Sequence, residues 1–420
     1  MLIRFEVSNF RSVHESVELS MVAVDAGRPE ATEVANLGES LLHVAAIFGP
    51  NASGKSNIIA AFNWLRDAVQ LSLRTWDHTI PVEPFAFAGG AEEPSGFTVE
   101  SVIDGVRFEY VLELDRHAVS YEGLFHYPEK KRRRIFERDG AELKLQRGLG
   151  SLSGTRELLT DRTLALSAAR RFDEPLVSGF ANNLLRTQTL GLKTHDRRRP
   201  IDRRPTRSLF EHETEQSQDA LFDLEESDDS SRSDRAQALA MLRLADLGIE
   251  DVVVDDLDDS VGGARIRRLR LTHRTAGGAV PLDFSAESEG TRTWFRLIGP
   301  VLAALKSGSV LLIDELDASL HPTLSGELIR LFQDRATNPR NGQLIFTSHD
   351  TSLLNHLNRD EVWLTEKSAS GASRLGALAE FAGERVRTSV NLEKAYLHGR
   401  FGALPDTDRT DLLRVLGLIG

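Results

Sequence analysis

The stretch that decides the fold is FGPNASGKSN, Phe48–Asn57, whose core reads G-x-x-x-x-G-K-S. Glycines at these positions let backbone N–H groups turn inward around phosphate, and a following helix adds the positive potential of its N-terminus. In such a loop Lys55 reaches the β- and γ-phosphates, and Ser56 offers its hydroxyl to Mg²⁺. The pattern therefore predicts a nucleotide phosphate site with Mg²⁺. The alternative is a glycine-rich turn that carries a surface lysine.

The segments on either side of this loop fit the nucleotide interpretation. The preceding LLHVAAIF, residues 41–48, is apolar almost throughout, as expected for a strand covered on both faces. After the loop, Ile58, Phe62, Leu65 and Val69 recur with the spacing of one helical face. Strand, loop and helix are the context that a phosphate loop requires.

The composition limits the class of protein. The chain has 420 residues, 40% of them hydrophobic and 27% charged, which is ordinary for a globular protein. It has no run of about 18 apolar residues, and MLIRFEVSNF at the start alternates like a strand, unlike a secretion signal. The absence of cysteine excludes disulfides and thiolate metal sites, and we predict a cytoplasmic protein without membrane contact. The net charge of −12 restricts any DNA contact to local patches.

We predict an α/β protein with a mixed central sheet flanked by helices, in three regions. Residues 1–148 form an N-terminal lobe with the phosphate loop and an antiparallel β subdomain, in which Asp104-Gly105 makes a hairpin turn. Residues 149–240 form a helical insertion. Its charged segment, residues 193–235, is either a solvated linker or a contact surface. Residues 241–420 form a C-terminal lobe.

A second set of residues supplies the chemistry that a phosphate loop lacks. VLLIDELDASLHP, from Val310, reads as a buried strand that ends in Asp314 and Glu315. An aspartate there can hold Mg²⁺, and the adjacent glutamate can polarise an attacking water. The alternative is a buried strand ending in two solvated acids.

Two further segments point to phosphate. QLIFTSHD predicts a strand that delivers His349 to the carboxyl edge of the sheet, where ligands bind in open α/β folds, and we interpret His349 as a γ-phosphate sensor. In SAESEGTRTWF, Ser288–Thr291 precedes an amphipathic helix and forms either a simple N-cap or a second anion site. One molecule has no evident need for two such sites, unless the second serves another subunit's nucleotide.

The order of these motifs resembles an ABC-type ATPase head, and more narrowly its SMC-like and RecF-like branch. NFRS at Asn9–Ser12, GPNASGKSN, and DELDASLHP with Ala318–His321 in the place of the D-loop are similar to motifs of that branch. IPVEPFAF, LTDRTLALSAA and VNLEKAYLHGRFGALP resemble stand-alone ATPases of the AAA family. Such ATPases occur in bacterial abortive-infection and other phage-defence operons beside a nuclease or toxin.

The resemblance implies roles for individual residues of a homodimer, or a higher homo-oligomer, that binds ATP and Mg²⁺ between its heads. Glu315 would be the general base, His349 the γ-phosphate reader, and Ser56 with Asp314 the Mg²⁺ ligands. The ATP-binding residues would be Gly49, Pro50, Asn51, Ala52, Ser53, Gly54, Lys55, Ser56 and Asn57, with Arg11 from the first hairpin, and with Ser288, Glu289, Gly290 and Thr291 acting on the other subunit's nucleotide.

Some features depart from that pattern, and several functions remain open. Thr291 stands where transporter ATPases usually carry glutamine, and no glutamine loop is identifiable at the usual spacing after Lys55. The insertion before Ser288 resembles an arm too short for a long coiled coil, and we expect any nuclease effector to act in trans. The alternatives are a repair or recombination clamp, a phosphotransferase, a transporter subunit and a scaffold without hydrolysis. The local candidates for DNA contact are the basic clusters at residues 130–134 and 197–207.

Overall fold

The computed structural model describes residues 1–192, 206–211, 224–258, 265–381, 391–398 and 400. Much of the predicted charged segment and of VNLEKAYLHGRFGALP lies outside the described residues. The strands of the described part are β1 (Leu2–Ser8), β2 (Val17–Ser20), β3 (Ala31–Val34), β4 (Glu39–Leu42), β5 (Val44–Phe48), β6 (Ser95–Ile103), β7 (Val106–Leu114), β8 (Val119–Tyr127), β9 (Arg133–Asp139), β10 (Glu142–Leu145), β11 (Gln188–Leu190), β12 (Ile249–Asp258), β13 (Arg265–Thr275), β14 (Gly278–Asp283), β15 (Val310–Ile313), β16 (Gln343–Thr347), β17 (Val362–Lys367) and β18 (Ser373–Ala377). Its helices are α1 (Lys55–Thr75), α2 (Thr155–Leu158), α3 (Ala165–Ala169), α4 (Pro175–Leu185), α5 (Leu224–Ala245), α6 (Glu289–Ser307), α7 (Pro322–Gln333), α8 (Leu378–Phe381) and α9 (Leu392–Leu397).

The chain divides into two compact units. Leu2–Leu185 with Ile345–Gly420 forms one, here called the phosphate-loop unit, and Arg186–Leu344 with Met1 forms the other, the acid-pair unit. This division into two units does not test which parts of the chain fold on their own. The three regions predicted from the sequence therefore stay a proposal. Among the described residues, none of the helices combines the length and the apolar character that a membrane span needs.

A seven-stranded antiparallel sheet dominates the phosphate-loop unit, in the order β10-β9-β8-β7-β6-β1-β2. The predicted hairpin turn between β6 and β7 is confirmed: Asp104 and Gly105 both have positive φ, 49° and 76°, as a two-residue hairpin turn requires. Against this sheet lies α1, and the ring of Trp64 stacks on that of Phe97 with 4.7 Å between centroids. The four residues predicted to share the buried face of α1 are all buried.

A second group of strands in this unit carries the phosphate loop. β5 runs parallel to β17, and β17 pairs antiparallel with β18. At the end of β16, the Ser348 amide donates to the Ile47 carbonyl of β5 at 3.2 Å. The prediction of one strand over residues 41–48 is wrong, because β4 ends at Leu42 to pair with β3, and β5 begins at Val44. All eight residues are nevertheless buried, as predicted.

The acid-pair unit contains a three-stranded antiparallel sheet, β12-β13-β14, and a short parallel pair, β11 and β15. Helices α5 and α6 pack together, and the Trp294 indole donates to the Met241 carbonyl at 2.7 Å. The apolar side predicted for α6 is buried along its length, with Ile298 and Val301 fully enclosed. α6 begins at Glu289 after the N-cap Ser288, so the signature segment Ser288–Thr291 lies at its N-terminus.

Candidate nucleotide-binding site

The phosphate loop has the shape that its sequence predicts. The backbone at Gly49 and Gly54 has φ of 150° and 105°, values that residues with a Cβ rarely adopt. Gly54 is the N-cap of α1, a helix of 21 residues without an acidic side chain in its first turn. The loop therefore leads directly into the N-terminus of α1, and the positive end of a helix suits an anion.

Lys55 lies inside this loop instead of on the surface. Its side chain is buried, and Nζ donates to the carbonyls of Gly49 at 2.8 Å and Pro50 at 3.0 Å. These contacts hold an ammonium against the concave side, where phosphate oxygens would become its acceptors. Residues 49–57 thus fit the triphosphate of a nucleotide, and the alternative of a surface lysine is wrong.

Two loop residues bind protein groups outside the motif. The Ser53 hydroxyl lies 2.5 Å from the Thr365 hydroxyl on β17, and both residues are buried. The Asn57 amide donates to the Ser12 hydroxyl at 2.6 Å, and Ser373 on β18 donates to the same oxygen at 2.7 Å. Ser53 and Asn57 belong to the loop motif and were predicted, whereas Thr365 and Ser373 were not. Thr365 lies 312 residues after Ser53, and Ser373 lies 361 residues after Ser12. Only the pairing of β17 with β5 and β18 brings them to the loop.

The N-F-R-S hairpin is tied to the segment that follows α1. Asn9 donates to the carbonyls of Gly90 at 2.8 Å and Glu93 at 2.7 Å. The Arg11 guanidinium donates to both carboxylate oxygens of Glu83, at 2.9 and 3.2 Å, and is 37% exposed. Glu83 belongs to IPVEPFAF, so two of the recognised motifs contact each other. The nucleotide contact of Arg11 stays a prediction.

The acid pair ends β15 as the sequence predicts. Asp314 is buried, and its amide donates to the Leu190 carbonyl at 2.9 Å, while Glu315 is exposed. Glu315 has a φ of 55°, an uncommon conformation for a residue with a side chain. Such strain is found most often at functional sites. Directly beside the pair, Gly191 packs so closely that a Cβ there would collide with the Asp314 carbonyl.

His349 follows β16 in the phosphate-loop unit and is exposed. The neighbouring Ser348 is buried, and its hydroxyl accepts from the Asp350 amide at 2.9 Å. Because β16 and β5 are adjacent here, His349 and Gly49 each follow the end of one of two neighbouring strands. This position fits a group that reads phosphate, and its role as a γ-phosphate reader stays a prediction.

The signature segment caps α6. The Ser288 hydroxyl accepts from the Thr291 amide at 3.0 Å, so the N-cap foreseen as an alternative is present. Ser288 and Glu289 are nevertheless exposed and Gly290 is partly exposed, while Thr291 is buried. The segment is therefore open to a ligand or to another subunit.

Among the described residues no group of three or more histidine, aspartate or glutamate side chains is arranged to hold a metal ion. Mg²⁺ in phosphoryl-transfer sites needs only one or two protein oxygens, because substrate phosphates and water supply the rest. Ser56 offers a hydroxyl and Asp314 a carboxylate, the donor types that Mg²⁺ prefers, and their role as Mg²⁺ ligands stays a prediction.

The basic cluster around Arg132 is engaged by acids of the same sheet. Arg132 contacts Glu109 at 2.9 Å, and Arg134 contacts Glu137 at 3.0 Å. Such exposed pairs contribute little to stability, but they neutralise the charge that a DNA backbone would meet. The cluster fits a charged surface strand. Most of the second cluster, residues 197–207, lies outside the described residues.

With a phosphate loop between buried β5 and α1, beside parallel β17, the chain is an α/β P-loop NTPase, and the predicted class is confirmed. A family model described as "AAA domain, putative AbiEii toxin, Type IV TA system" matches residues 44–355, and the chain belongs to this family. The match includes the phosphate loop, the signature segment, the acid pair and His349. The predicted membership of the AAA family is thereby confirmed.

Solved structures show a loose likeness over most of the chain. The SMC head domain from Thermotoga maritima is 14% identical with a TM-score of 0.40, covering 90% of this chain and 98% of its own. An SMC head bound to the C-winged helix domain of ScpA is 13% identical with a TM-score of 0.43, covering 94% and 99%. An Smc head with an extended coiled coil, bound to the C-terminal domain of ScpA derived from Pyrococcus furiosus, is 12% identical with a TM-score of 0.40, covering 90% and 97%. No curated protein matches the chain.

Proposed function

We propose that this protein is an ATP hydrolase that dimerises around ATP and acts as a nucleotide-gated switch. The observation that carries the proposal is the phosphate loop, in which the buried Lys55 ammonium, at the start of α1, is held on the Gly49 carbonyl. Family membership supports the same class of chemistry. The presence of both a triphosphate-binding loop and an acid pair in one chain favours ATP hydrolysis over nucleotide binding alone.

Each residue has a definite part in this proposal. Lys55 exchanges its carbonyl acceptors for phosphate oxygens, and the loop amides bind the remaining negative charge. Glu315 takes a proton from the attacking water, and His349 donates to the γ-phosphate. Mg²⁺, held by Ser56 and Asp314, would neutralise charge that develops on the phosphates.

The proposed dimer rests on the exposure of the signature segment. The exposed Ser288 and Glu289 and the partly exposed Gly290 present the N-terminus of a 19-residue helix, which is where anions bind. We propose that this end of α6 binds the γ-phosphate of a nucleotide held by a second copy. ATP then joins two heads, and hydrolysis releases them.

The cellular role that we propose is antiviral defence in the cytoplasm, with a nuclease or toxin as effector in trans. Its support is the family description, which names a toxin of a type IV system. A repair clamp would need a DNA contact, and the arginines of the first basic cluster that were candidates for it are paired with acids. Defence is therefore the role that we favour.

Substituting Lys55 tests the proposed activity. Lys55→Ala should bind ATP about 10- to 100-fold more weakly, because the charge-assisted hydrogen bonds to phosphate are lost. The matched control is Lys144→Ala, which removes the same charge from the exposed edge strand β10. Titration calorimetry with ATP and Mg²⁺, together with phosphate release, measures both variants. Equal ATP affinity of the Lys55→Ala and wild-type proteins would disprove the assignment.

A further inference from the structure

Thr365 on β17 contacts the phosphate loop and the strand that precedes it. Its hydroxyl donates to the Phe48 carbonyl at 3.2 Å and lies 2.5 Å from the Ser53 hydroxyl. Both side chains are buried. The Ser53 side chain is thus held against β17, whichever of the two hydroxyls donates.

Ser373 on β18 makes the second contact, at the start of α1. Its amide donates to the Ser12 carbonyl at 2.7 Å and its hydroxyl to the Ser12 hydroxyl, which also accepts from Asn57. The hydroxyls of Ser373 and Ser12 both crowd Gly54, where an added Cβ would collide with them. Gly54 is therefore needed for this close approach as well as for its φ of 105°.

Both contacts are made by the β17–β18 hairpin. β17 is in register with β5, with Leu364 opposite Phe48, so that Thr365 arrives opposite the first residue of the loop. The hairpin is closed by a turn in which the Ser368 amide donates to the Ala372 carbonyl at 2.8 Å. The first contact fixes Ser53 in the loop, and the second fixes the N-cap of the helix.

We propose that the β17–β18 hairpin is the positioning element of the phosphate loop, with Thr365 and Ser373 as positioning residues for nucleotide binding. They hold the loop amides toward the phosphates before nucleotide arrives. Ser53 anchors the loop to β17 through its contact with Thr365. The inference rests on the proposed function, since it names what prepares the same site for ATP.

The test compares Thr365→Val, which keeps the shape and removes the hydroxyl, with Ser370→Ala on the exposed turn of the same hairpin. Thr365→Val should raise the Kd for ATP about 5- to 30-fold, because the loop amides are then less ordered when phosphate arrives. Ser370→Ala should leave it unchanged. A purely structural role would instead lower the Tm of Thr365→Val without changing its Kd for ATP measured well below that Tm, and that result would overturn the proposal.

The contact between Ser53 and Thr365 is tested by a double-mutant cycle. Either substitution alone removes the same hydrogen bond. Ser53→Ala should therefore weaken ATP binding about as much as Thr365→Val, and the double variant should bind no more weakly than Thr365→Val alone. If the two effects add in the double variant, the two hydroxyls act independently and Ser53 does not anchor the loop through Thr365.

A third measurement separates this inference from the proposed function. Amide hydrogen exchange of residues 49–55, read without nucleotide, should be faster in Thr365→Val and Ser373→Ala than in Ser370→Ala and wild type. Unchanged exchange would overturn the positioning role even in an active ATPase. Faster exchange in a protein that fails to bind ATP would support the positioning role and disprove the ATPase.

Discussion

Gly191 shows how much one residue without a sequence motif can control. Its φ is 83°, and a Cβ there would collide with the Asp314 carbonyl. We predict that Gly191→Ala displaces the acid pair, costs about 1–3 kcal/mol of stability, and lowers ATP turnover while leaving ATP affinity near that of wild type. Thermal unfolding and steady-state kinetics measure these effects.

The matched control for this substitution is Gly179→Ala. Gly179 lies within α4, and no atom lies within 4 Å of the Cβ that alanine would add. Alanine is the better helix former, so this variant should be as stable as wild type or slightly more stable. If Gly191→Ala and Gly179→Ala have the same stability and the same ATP turnover, the close approach of Gly191 to Asp314 has no consequence for the site.

Residues of the site could be predicted from the sequence when their spacing is local. The loop from Gly49 to Asn57 and the acid pair after β15 are read within a dozen residues, and the structure places them at the ends of the expected strands. Thr365, Ser373 and Gly191 act through pairing between segments far apart in the chain. No local pattern reports such pairing, so these residues could not be found.

At the scale of elements, β8 and α3 are joined through a buried carboxylate. Glu122 accepts hydrogen bonds from the amides of Ala165 at 2.5 Å and Leu166 at 2.7 Å, and from the Tyr110 hydroxyl at 2.9 Å. It thereby caps the N-terminus of α3. Arg138 on β9 donates to carbonyls of the loop that precedes α3. The recognised motif LTDRTLALSAA contains this loop and helix, so that its conspicuous pattern has a structural explanation.

Protonation of the Glu122 carboxyl makes the free energy of unfolding depend on pH. Burial raises the pKa of Glu122 above its ordinary value of 4.5, and the hydrogen bonds from Leu166 and Ala165 and the charge of Arg138 only partly oppose the rise. The folded state therefore binds the proton more tightly than the unfolded state. Wild-type stability should fall as pH rises from about 4.5 through the folded pKa, and then level off.

We predict that Glu122→Gln abolishes this part of the pH dependence, because an amide does not titrate. The difference in unfolding free energy between wild type and Glu122→Gln should shift in favour of the variant as pH rises. Urea unfolding at several pH values measures it. Parallel curves for the two proteins would show that the Glu122 pKa is the same in the folded and unfolded states.

Helices and strands could be predicted from the sequence where only one of their faces is buried. The buried face of α1 and the β6–β7 hairpin were confirmed, since helical spacing and a turn dipeptide specify them locally. The run of residues 41–48 was predicted as one strand but divides at His43. Both faces of β4 and β5 are covered, so apolar character continues through the break and hides it. Only strand pairing, β4 with β3 and β5 with β17, reveals two elements.

At the scale of the whole molecule, the proposed function requires two copies of the chain. Glu315→Gln should slow hydrolysis about 10²- to 10⁴-fold while ATP still binds, because only the general base is lost. Dimers joined by ATP should then accumulate. Light scattering of this variant with ATP and Mg²⁺ should report twice the mass measured without nucleotide, and wild type should return to monomer as ATP is consumed.

The signature segment offers a charge test of the same dimer. Aspartate and asparagine cap helices as well as serine does, so Ser288→Asp and Ser288→Asn should both preserve α6. Only aspartate places a negative charge where the γ-phosphate of the second copy would lie, and like charges at such distances repel strongly. In the Glu315→Gln background, Ser288→Asp should remain monomeric with ATP, whereas Ser288→Asn should dimerise. If both dimerise, α6 does not meet the partner's nucleotide. If the parent Glu315→Gln protein stays monomeric with ATP bound, each head completes its own site and the exposed end of α6 is only a helix cap.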